Sequence, residues 1–380
     1  MFSFWVSQTK SLGCRMNADA KIVQKIQMNV HQELILALDA MGGANAPQVV
    51  VEGAHLALER YPRLKFLFFG DEKQLIPLLK EYKKLNAAST IHHTDTVVDD
   101  DMKPAAALRV GRTSSMALAI KAVAEGEASG VISGGNTGAY MALSKILLKT
   151  VKGISRPAIA SYLPTERGGE TVMLDLGANV ACDELNLVEF AIMGSVFATD
   201  VLGYENPSVG LLNIGEEDLK GSPVLRRAAD YLKNYPGINF YGFIEGNDIA
   251  KGTVDVVVTD GFTGNVALKT LEGTARLIRS FLKEGFSGSL IGKIGYFFAL
   301  PTLRLVFQRM NPSRYNGAIF LGLNGIAIKS HGSTDALGFS NAISVAVDML
   351  SHGFKAQIEK NMEDVKVFLA QAELEVKTEG

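Results

Sequence analysis

The sequence predicts an α/β fold: a mainly parallel sheet with helices on both faces. Three observations predict it. Short, near-continuous runs of Val, Ile, Leu and Phe recur along the chain, as strands buried on both faces require. Between them lie stretches with apolar residues at helical spacing, so strand and helix alternate. Several runs also end in polar turns that contain glycine and lead into the next helical stretch.

Leu34–Leu38 is the first run; it ends at Asp39 and is followed by Met41-Gly42-Gly43. Pro47 stands where a helix can begin, and Val49–Leu58 repeats apolar residues at helical spacing. Leu64–Phe69 is the second run, closed by Gly70, and Asp71 can cap a helix through Leu85. Ser114–Ala124 reads as a helix, Gly130–Ile132 as a strand and Thr137–Leu148 as a helix. Further buried strands are predicted at Val172–Leu176, Val209–Leu212, Phe240–Ile244 and Val256–Thr259. No Pro-rich or low-complexity linker divides the chain and no internal repeat stands out, so any second domain is interleaved with the first.

The 380 residues are 47% apolar and 21% charged, with 38 Lys and Arg against 40 Asp and Glu. A net charge of −2 lacks the basic excess of proteins that wrap nucleic acid, and the apolar content excludes an acidic disordered chain. Cys14 and Cys182, the two cysteines, are too few for a disulfide framework or a four-thiolate zinc site and fit a reducing, cytoplasmic compartment. No run reaches the ~18 apolar residues of a spanning helix. Residues 1–30, interrupted by Lys10 and Arg15, lack the apolar segment of a secretory signal and are expected to extend outside the fold.

Four glycine-bearing turns follow apolar runs: Asp39-Ala-Met-Gly42-Gly43, Ser133-Gly-Gly135-Asn136-Thr137-Gly138, Asn213-Ile-Gly-Glu216-Glu217 and Asp260-Gly-Phe-Thr-Gly264-Asn265. In an open parallel sheet, ligands bind beyond the carboxyl ends of the strands. Glycine lets an anion approach the backbone, and a following helix offers unpaired N–H groups. One such turn is as readily an ordinary tight connection; four that add Asn, Thr or a carboxylate point to a shared anion site.

Familiar motifs are missing. Gly288-Ser-Leu-Ile-Gly292-Lys293 is one residue short of a P-loop and has no Ser or Thr after the lysine; the dinucleotide fingerprint and the nucleophile elbow are absent. His92 and His93 are neighbours that face opposite ways in a strand, without metal-ligand spacing. His331, in Lys329-Ser-His-Gly332 after the apolar run Ile319–Ile328, can hold a proton or donate to an anion. An ordinary surface loop is the competing reading.

From Gly285 to Thr334 there is no Asp or Glu, while Lys293, Arg304, Arg309, Arg314 and Lys329 occur. Phe297 and Phe298 lead through Pro301 to Leu303, Val306, Phe307 and Met310, which fall at i, i+3, i+4 and i+7 with Arg304 off that face. A basic amphipathic hairpin at about 287–315 can lie on an anionic bilayer, pack in a subunit interface, or attract an acidic protein.

Taken together, six motifs resemble the PlsX-type phosphate acyltransferases of bacterial phospholipid synthesis. They are Leu-Asp-Ala-Met-Gly-Gly at 38–43, Ser-Gly-Gly-Asn-Thr-Gly-Ala at 133–139, Leu-Asp-Leu-Gly-Ala-Asn at 174–179, Leu-Leu-Asn-Ile-Gly-Glu-Glu at 211–217, Thr-Asp-Gly-Phe-Thr-Gly-Asn at 259–265 and Ile-Lys-Ser-His-Gly at 328–332. The resemblance runs from about Leu34 to about Leu350. It departs at Ala44, where the family commonly carries an acidic residue, and at the extension before Met28.

The resemblance implies transfer of a fatty acyl group from acyl carrier protein to inorganic phosphate. It implies a sheet similar to the isocitrate and isopropylmalate dehydrogenases and phosphate acetyltransferases, and a homodimer. It further implies that a membrane glycerol-3-phosphate acyltransferase consumes the product, so that the protein is cytoplasmic and peripheral to the membrane. The chain is then divided into the extension at 1–30, one catalytic α/β domain at 31–353 with the hairpin as an interleaved subdomain, and a C-terminal helix and tail at 354–380.

Phosphate itself can attack the thioester carbonyl, which accounts for the missing nucleophile and requires no metal or organic cofactor. Asn136, Lys329 and His331 are the candidate catalytic residues, and Gly135, Thr137, Gly138, Gly264 and Asn265 the candidate phosphate contacts. Asp39, Gly42, Gly43, Asn213, Glu216 and Asp260 are expected to shape the cleft, and Lys103 or Arg109 to meet the anion or the carrier. Phe297, Phe298, Leu303, Arg304, Val306 and Phe307 are the candidate membrane or interface residues. Asn136→Ala and Lys329→Ala are expected to lower turnover with little change in thermal midpoint. Two rivals stand beside this reading. A decarboxylating dehydrogenase needs a trio of metal-binding aspartates that the sequence does not present. A non-enzymatic membrane-surface scaffold for acyl carrier protein needs no anion pocket.

Overall fold

Eleven strands form one sheet in the computed structural model, which describes residues 34–99, 101–309, 316–350 and 358–368. The strands are β1 Ile35–Asp39, β2 Lys65–Gly70, β3 Ser89–His93, β4 Gly130–Ser133, β5 Ala158–Pro164 and β6 Glu170–Leu174. They continue with β7 Ser208–Leu212, β8 Asn239–Ile244, β9 Val256–Val258, β10 Ala318–Leu321 and β11 Ile326–Lys329. Their order across the sheet is β3-β2-β1-β4-β11-β10-β5-β6-β9-β7-β8.

Most pairings are parallel, as the near-continuous apolar runs predict. The exceptions sit together at the centre: β11–β10, β10–β5 and β5–β6 are antiparallel. Three reversals turn β6, β9, β7 and β8 against β1, β2, β3, β4 and β11. The sheet therefore has two halves of opposite sense, and the carboxyl ends of β4 and β9 leave opposite edges. The apolar run Ile319–Ile328 is split between β10 and β11 by Gly322, whose φ of 87° suits a residue without Cβ. The reversal is marked by Gly322 and by Asn324-Gly325, a hairpin dipeptide that reading Ile319–Ile328 as one run passed over.

One face is covered by α1 Gln48–Arg60, α2 Glu72–Glu81, α3 Lys83–Ala87, α7 Glu184–Asp200, α8 Pro223–Asn234 and α12 Ala336–Leu350. The other carries α4 Pro104–Val110, α5 Ser115–Ala124, α6 Thr137–Leu148, α9 Gly246–Lys251 and the start of α10 Gly261–Ser287. Strand residues alternate between the two cores: Leu36 and Leu38 pack into the first, Ala37 into the second.

Asp71 caps α2 by accepting from the Lys73 N–H at 3.0 Å. The predicted single helix to Leu85 is broken at Tyr82, which leaves helical geometry (φ −115°, ψ 81°) and packs its ring on His55 with centroids 4.4 Å apart. α10 pairs with α11 Leu290–Arg309 as a helical hairpin whose first arm begins 26 residues before the 287 expected. Among the described residues no helix is long and apolar enough to cross a membrane. Residues 1–30, Met310, Arg314, the side chains of Phe307 and Arg309, and the ends of the predicted tail at 354–357 and 369–380 lie outside the described set; 358–368 are helical.

Candidate active site

The loops after β1, β4 and β11 interlock at one edge of the sheet. Ser330 N donates to Ser133 O at 2.9 Å, and Ala44 N donates to Gly332 O at 2.8 Å. This contact gives Ala44 a backbone role that its side chain does not enter. A Cβ at Gly42 would overlap Asp39 Oδ2 and lie 2.7 Å from Gly135 N, so only glycine lets these turns meet. At Gly43 the φ of 109° makes the same demand.

Asp39 lies fully buried beneath the turns. It accepts the hydroxyls of Ser115 and Ser133, each at 2.6 Å. Ser133 Oγ in turn accepts from Gly135 N at 3.1 Å, so the carboxylate orients the glycine turn through one hydroxyl. Burial pushes the Asp39 carboxyl above its ordinary range, against the two hydroxyls, the Met41 N–H and the charge of Lys329. Asp39 thus ties the loops together from beneath.

Lys329 is the last residue of β11 and is buried. Its ammonium donates to Gly134 O at 3.2 Å and to Ser330 O. Asn316 ties the same loop: its amide donates to Ser330 Oγ (2.8 Å) and Gly338 O (2.8 Å), and its oxygen accepts from His331 N at 2.8 Å. Asn316 escaped the sequence reading because it stands alone before an apolar run. Lys329 and Asn136 both have structural bonds to lose, so the structure predicts a lowered thermal midpoint on their removal where the sequence reading expected little change.

Asn136 caps α6: its side-chain oxygen accepts from Ala139 N at 3.0 Å and its amide donates to Met102 O at 3.0 Å. Thr137 and Gly138 are exposed at the helix start, where first-turn N–H groups lack partners within the helix. A Cβ at Gly138 would lie 3.0 Å from Pro104 Cγ, so this glycine admits α4 against the α6 terminus. Lys103, at the N-cap of α4, and Arg109 in its last turn are exposed beside it.

His331 is exposed, and its Nδ1 accepts from Ser333 N at 3.3 Å with Ser333 Oγ at 3.1 Å. With Nδ1 accepting, the proton of the neutral ring is assigned to Nε2. Desolvation pulls the imidazole below its ordinary 6.5; Lys269, Lys329 and Arg276 act the same way and Glu272 opposes them.

Three of those four groups come from α10. This helix turns back from the far end of β9, so Lys269 stands about 12 Å along it and Arg276 about 22 Å, at 1.5 Å per residue. Asn265, Lys269, Glu272 and Arg276 fall at i, i+4, i+7 and i+11, one stripe of the helix. Asn265 is the first residue of that stripe and lies beside Gly177, so its turn leaves the opposite edge from Asn136. Gly264 is buried against Asp175 of the same loop. The sequence reading missed Lys269 and Arg276; the signal was their helical spacing from Asn265.

Asp260 and Asn213 also stand at the far edge. Asp260 caps α10, accepting from Thr263 N at 2.9 Å and Thr263 Oγ1 at 2.8 Å. Asn213 donates to Lys220 O at 3.2 Å, and Glu216 is exposed. There the edge repeats the near one: Asp175 lies beside Thr259 as Asp39 lies beside Ser133, each pair at the ends of adjacent parallel strands. Asp175 is saturated by the N–H groups of Ile159, Gly177, Ala178 and Asn179.

Residues 34–357 match the family described as fatty acid synthesis protein. A phosphate acyltransferase of Paramagnetospirillum magneticum is 56% identical over 332 residues, 87% of this chain and 94% of its own. One from Rhodospirillum centenum is 55% identical over 344 residues, 90% and 97% of the two chains. Among solved structures, a phosphotransacetylase from Streptococcus pyogenes aligns with a TM-score of 0.59 at 16% identity, over 87% of this chain and 98% of its own. The EutD phosphotransacetylase from Staphylococcus aureus aligns with a TM-score of 0.54 at 15% identity, over 87% and 98%. At such identities the likeness is one of fold.

Proposed function

This chain belongs to the fatty acid synthesis protein family, and on that premise we propose that it carries a fatty acyl group from the thioester of acyl carrier protein to inorganic phosphate. It is an acyltransferase with phosphate as acceptor. The carrier as donor, phospholipid synthesis as destination and a homodimer as the working form are our own reading. So is residues 31–353 as the catalytic unit.

A phosphate oxygen attacks the thioester carbon, a C–O bond forms, and the C–S bond breaks as the tetrahedral intermediate collapses. The carrier leaves as thiolate and takes a proton from solvent. Phosphate is partly dianionic at neutral pH, so the site needs to hold it about 3–3.5 Å from the carbonyl and to stabilise the oxyanion. The observation that carries the reading is the interlocking of the glycine-bearing loops after β1, β4 and β11 at the edge where α6 starts and His331 is exposed. The N–H groups of Thr137 and Gly138 and the α10 cations suit phosphate; neutral His331 suits the oxyanion through Nε2–H. Asn136 and Lys329 hold the loops that position them.

We further propose that the distal hairpin rests on the membrane. Phe281, Leu290, Ile291, Phe297 and Phe298 are all more than 60% exposed, with Lys293 and Arg304 beside them. An apolar, basic surface of this kind suits an anionic bilayer. Its position beyond the β4–β11 edge would release a greasy, reactive product near lipid.

The test is phosphate-dependent thiol release from acyl–acyl carrier protein by pure protein. Thiol matched by acyl phosphate is the expected result. Carrier binding without thiol release would overturn the transferase reading in favour of a scaffold; thiol without acyl phosphate would mean hydrolysis.

A further inference from the structure

A cleft of about 200 Å³, open to solvent, lies beside His331 between the start of α1 and the loop after β11. Its lining includes Asn45, Val50, Gly134, His331, Thr334 and Phe339. Two hydrogen bonds hold Asn45 there: Ala44 N donates to Gly332 O at 2.8 Å, and Val49 N to Asn45 O at 3.1 Å. Asn45 and His331 are thus the chain neighbours of two residues bonded to each other. The Asn45 side chain is exposed and makes no hydrogen bond among the described residues. The floor is apolar and closed. Val50 and Phe339 are each 1% exposed, and a Cβ at Gly53 would lie 2.8 Å from Phe339 Cβ, so α1 and α12 meet directly behind them. Such a blind cleft takes the end of a group and leaves a fatty chain outside. Among the described residues no carboxylate, lysine or arginine lines it. The buried Lys329 reaches it through the backbone, donating to Gly134 O at 3.2 Å.

We propose that this cleft holds the thioester carbonyl of the acyl donor and that Asn45 is a catalytic residue, its Nδ2–H donating beside His331 Nε2–H to the carbonyl oxygen. The proposal rests on the acyl-transfer reading above and adds a subsite and a residue to it. A neutral, half-apolar lining offers a phosphate dianion little, whereas an uncharged thioester enters it at small desolvation cost. As phosphate attacks the carbon, the carbonyl π electrons move onto the oxygen. They return when the C–S bond breaks and the thiolate leaves. Asn45 gives up no proton in this step; its N–H bond strengthens as the oxygen gains charge, so it favours the transition state over the bound thioester.

The experiment is the thiol-release assay with the full chain, varying acyl–acyl carrier protein and phosphate in turn. Asn45→Ala should lower kcat about 10²–10³-fold and leave both KM values near wild type, as expected for loss of a donor that acts in the transition state. Asn45→Asp, which keeps the size but replaces the donor with a negative charge, should fall at least as far. Thermal midpoints of both should match the wild type, because the side chain has no bond to lose. A wild-type kcat in Asn45→Ala overturns the proposal, and so does a raised KM for phosphate with kcat unchanged, which would make the cleft a phosphate subsite. If the wild type itself releases no thiol, the acyl-transfer reading fails, and with it the oxyanion role. Calorimetry then decides the cleft separately. Asn45→Trp, which fills the mouth, should weaken binding of acyl–acyl carrier protein and leave that of the unacylated carrier unchanged. Equal or undetectable binding of the acylated carrier by Asn45→Trp and wild type overturns the assignment.

Discussion

The hydroxyl of Ser133 meets Oδ2 of Asp39 at 2.6 Å, joining the ends of two adjacent parallel strands beneath the glycine turns. The bond holds the Ser133 oxygen where it accepts from Gly135 N, so a buried carboxylate sets the start of the α6 turn. Asp39→Leu would leave two hydroxyls and a backbone N–H buried without an acceptor, at about 1–3 kcal/mol for each. Chemical denaturation should show a loss of several kcal/mol, with Asp39→Asn in between.

The same carboxyl predicts a pH dependence of stability. Its folded pKa is raised above 3.8, so its stabilising contribution is complete below that value and is lost as pH rises through the folded pKa. Asp175 and Glu189 are raised by burial in the same sense. Unfolding free energies measured from pH 4 upward should fall less steeply in Asp39→Asn than in the wild type.

Lys329→Met removes a buried ammonium from the carbonyls of Gly134 and Ser330. The expected cost is about 1–3 kcal/mol for each carbonyl left unpaired, and a lower thermal midpoint accompanies the loss of turnover. Equal midpoints in variant and wild type would contradict this role.

Asn136→Ala removes the α6 cap and should cost about 1 kcal/mol; Asn136→Asp keeps the accepting oxygen and should recover most of it. Comparing the two in thermal melts and in the thiol assay separates capping from contact with substrate. An aspartate that restores stability but not turnover would point to anion repulsion at this turn.

Burial pulls the His331 imidazole below 6.5, so above that value the ring donates through Nε2–H as a neutral group, and protonation at Nδ1 would leave that donor in place. His331→Ala should lower kcat about 10²–10³-fold if Nε2–H meets the oxyanion. His331→Gln keeps a donor and should retain more turnover than His331→Ala, with no acid limb in kcat assigned to this residue.

Phe297→Glu with Phe298→Glu should abolish flotation of the protein with anionic vesicles and leave thiol release in solution unchanged. Both rings are more than 70% exposed, so the pair is not needed to hold the fold. Flotation equal to wild type would remove the hairpin as the anchor.

By itself the sequence determined the α/β class, the alternation of strands and helices, the glycine turns at strand ends and the family. Each is a local property: a short apolar run, a helical spacing, a turn that requires glycine, a string of residues in order. Only the tertiary structure decided which turns share an edge. Gly322 and Asn324-Gly325 mark a turn within Ile319–Ile328, but not what its strands pair with, and that reversal helps set the two halves of the sheet in opposite senses. That reversal separates the turn at Asn136 from the turn at Asp260. It also makes α10 run back from the far edge, so that the charges of Lys269 and Arg276, more than 50 residues away in the chain, act on the His331 imidazole. Periodicity reports the face on which a residue lies; the direction of the strand before it decides what that face meets.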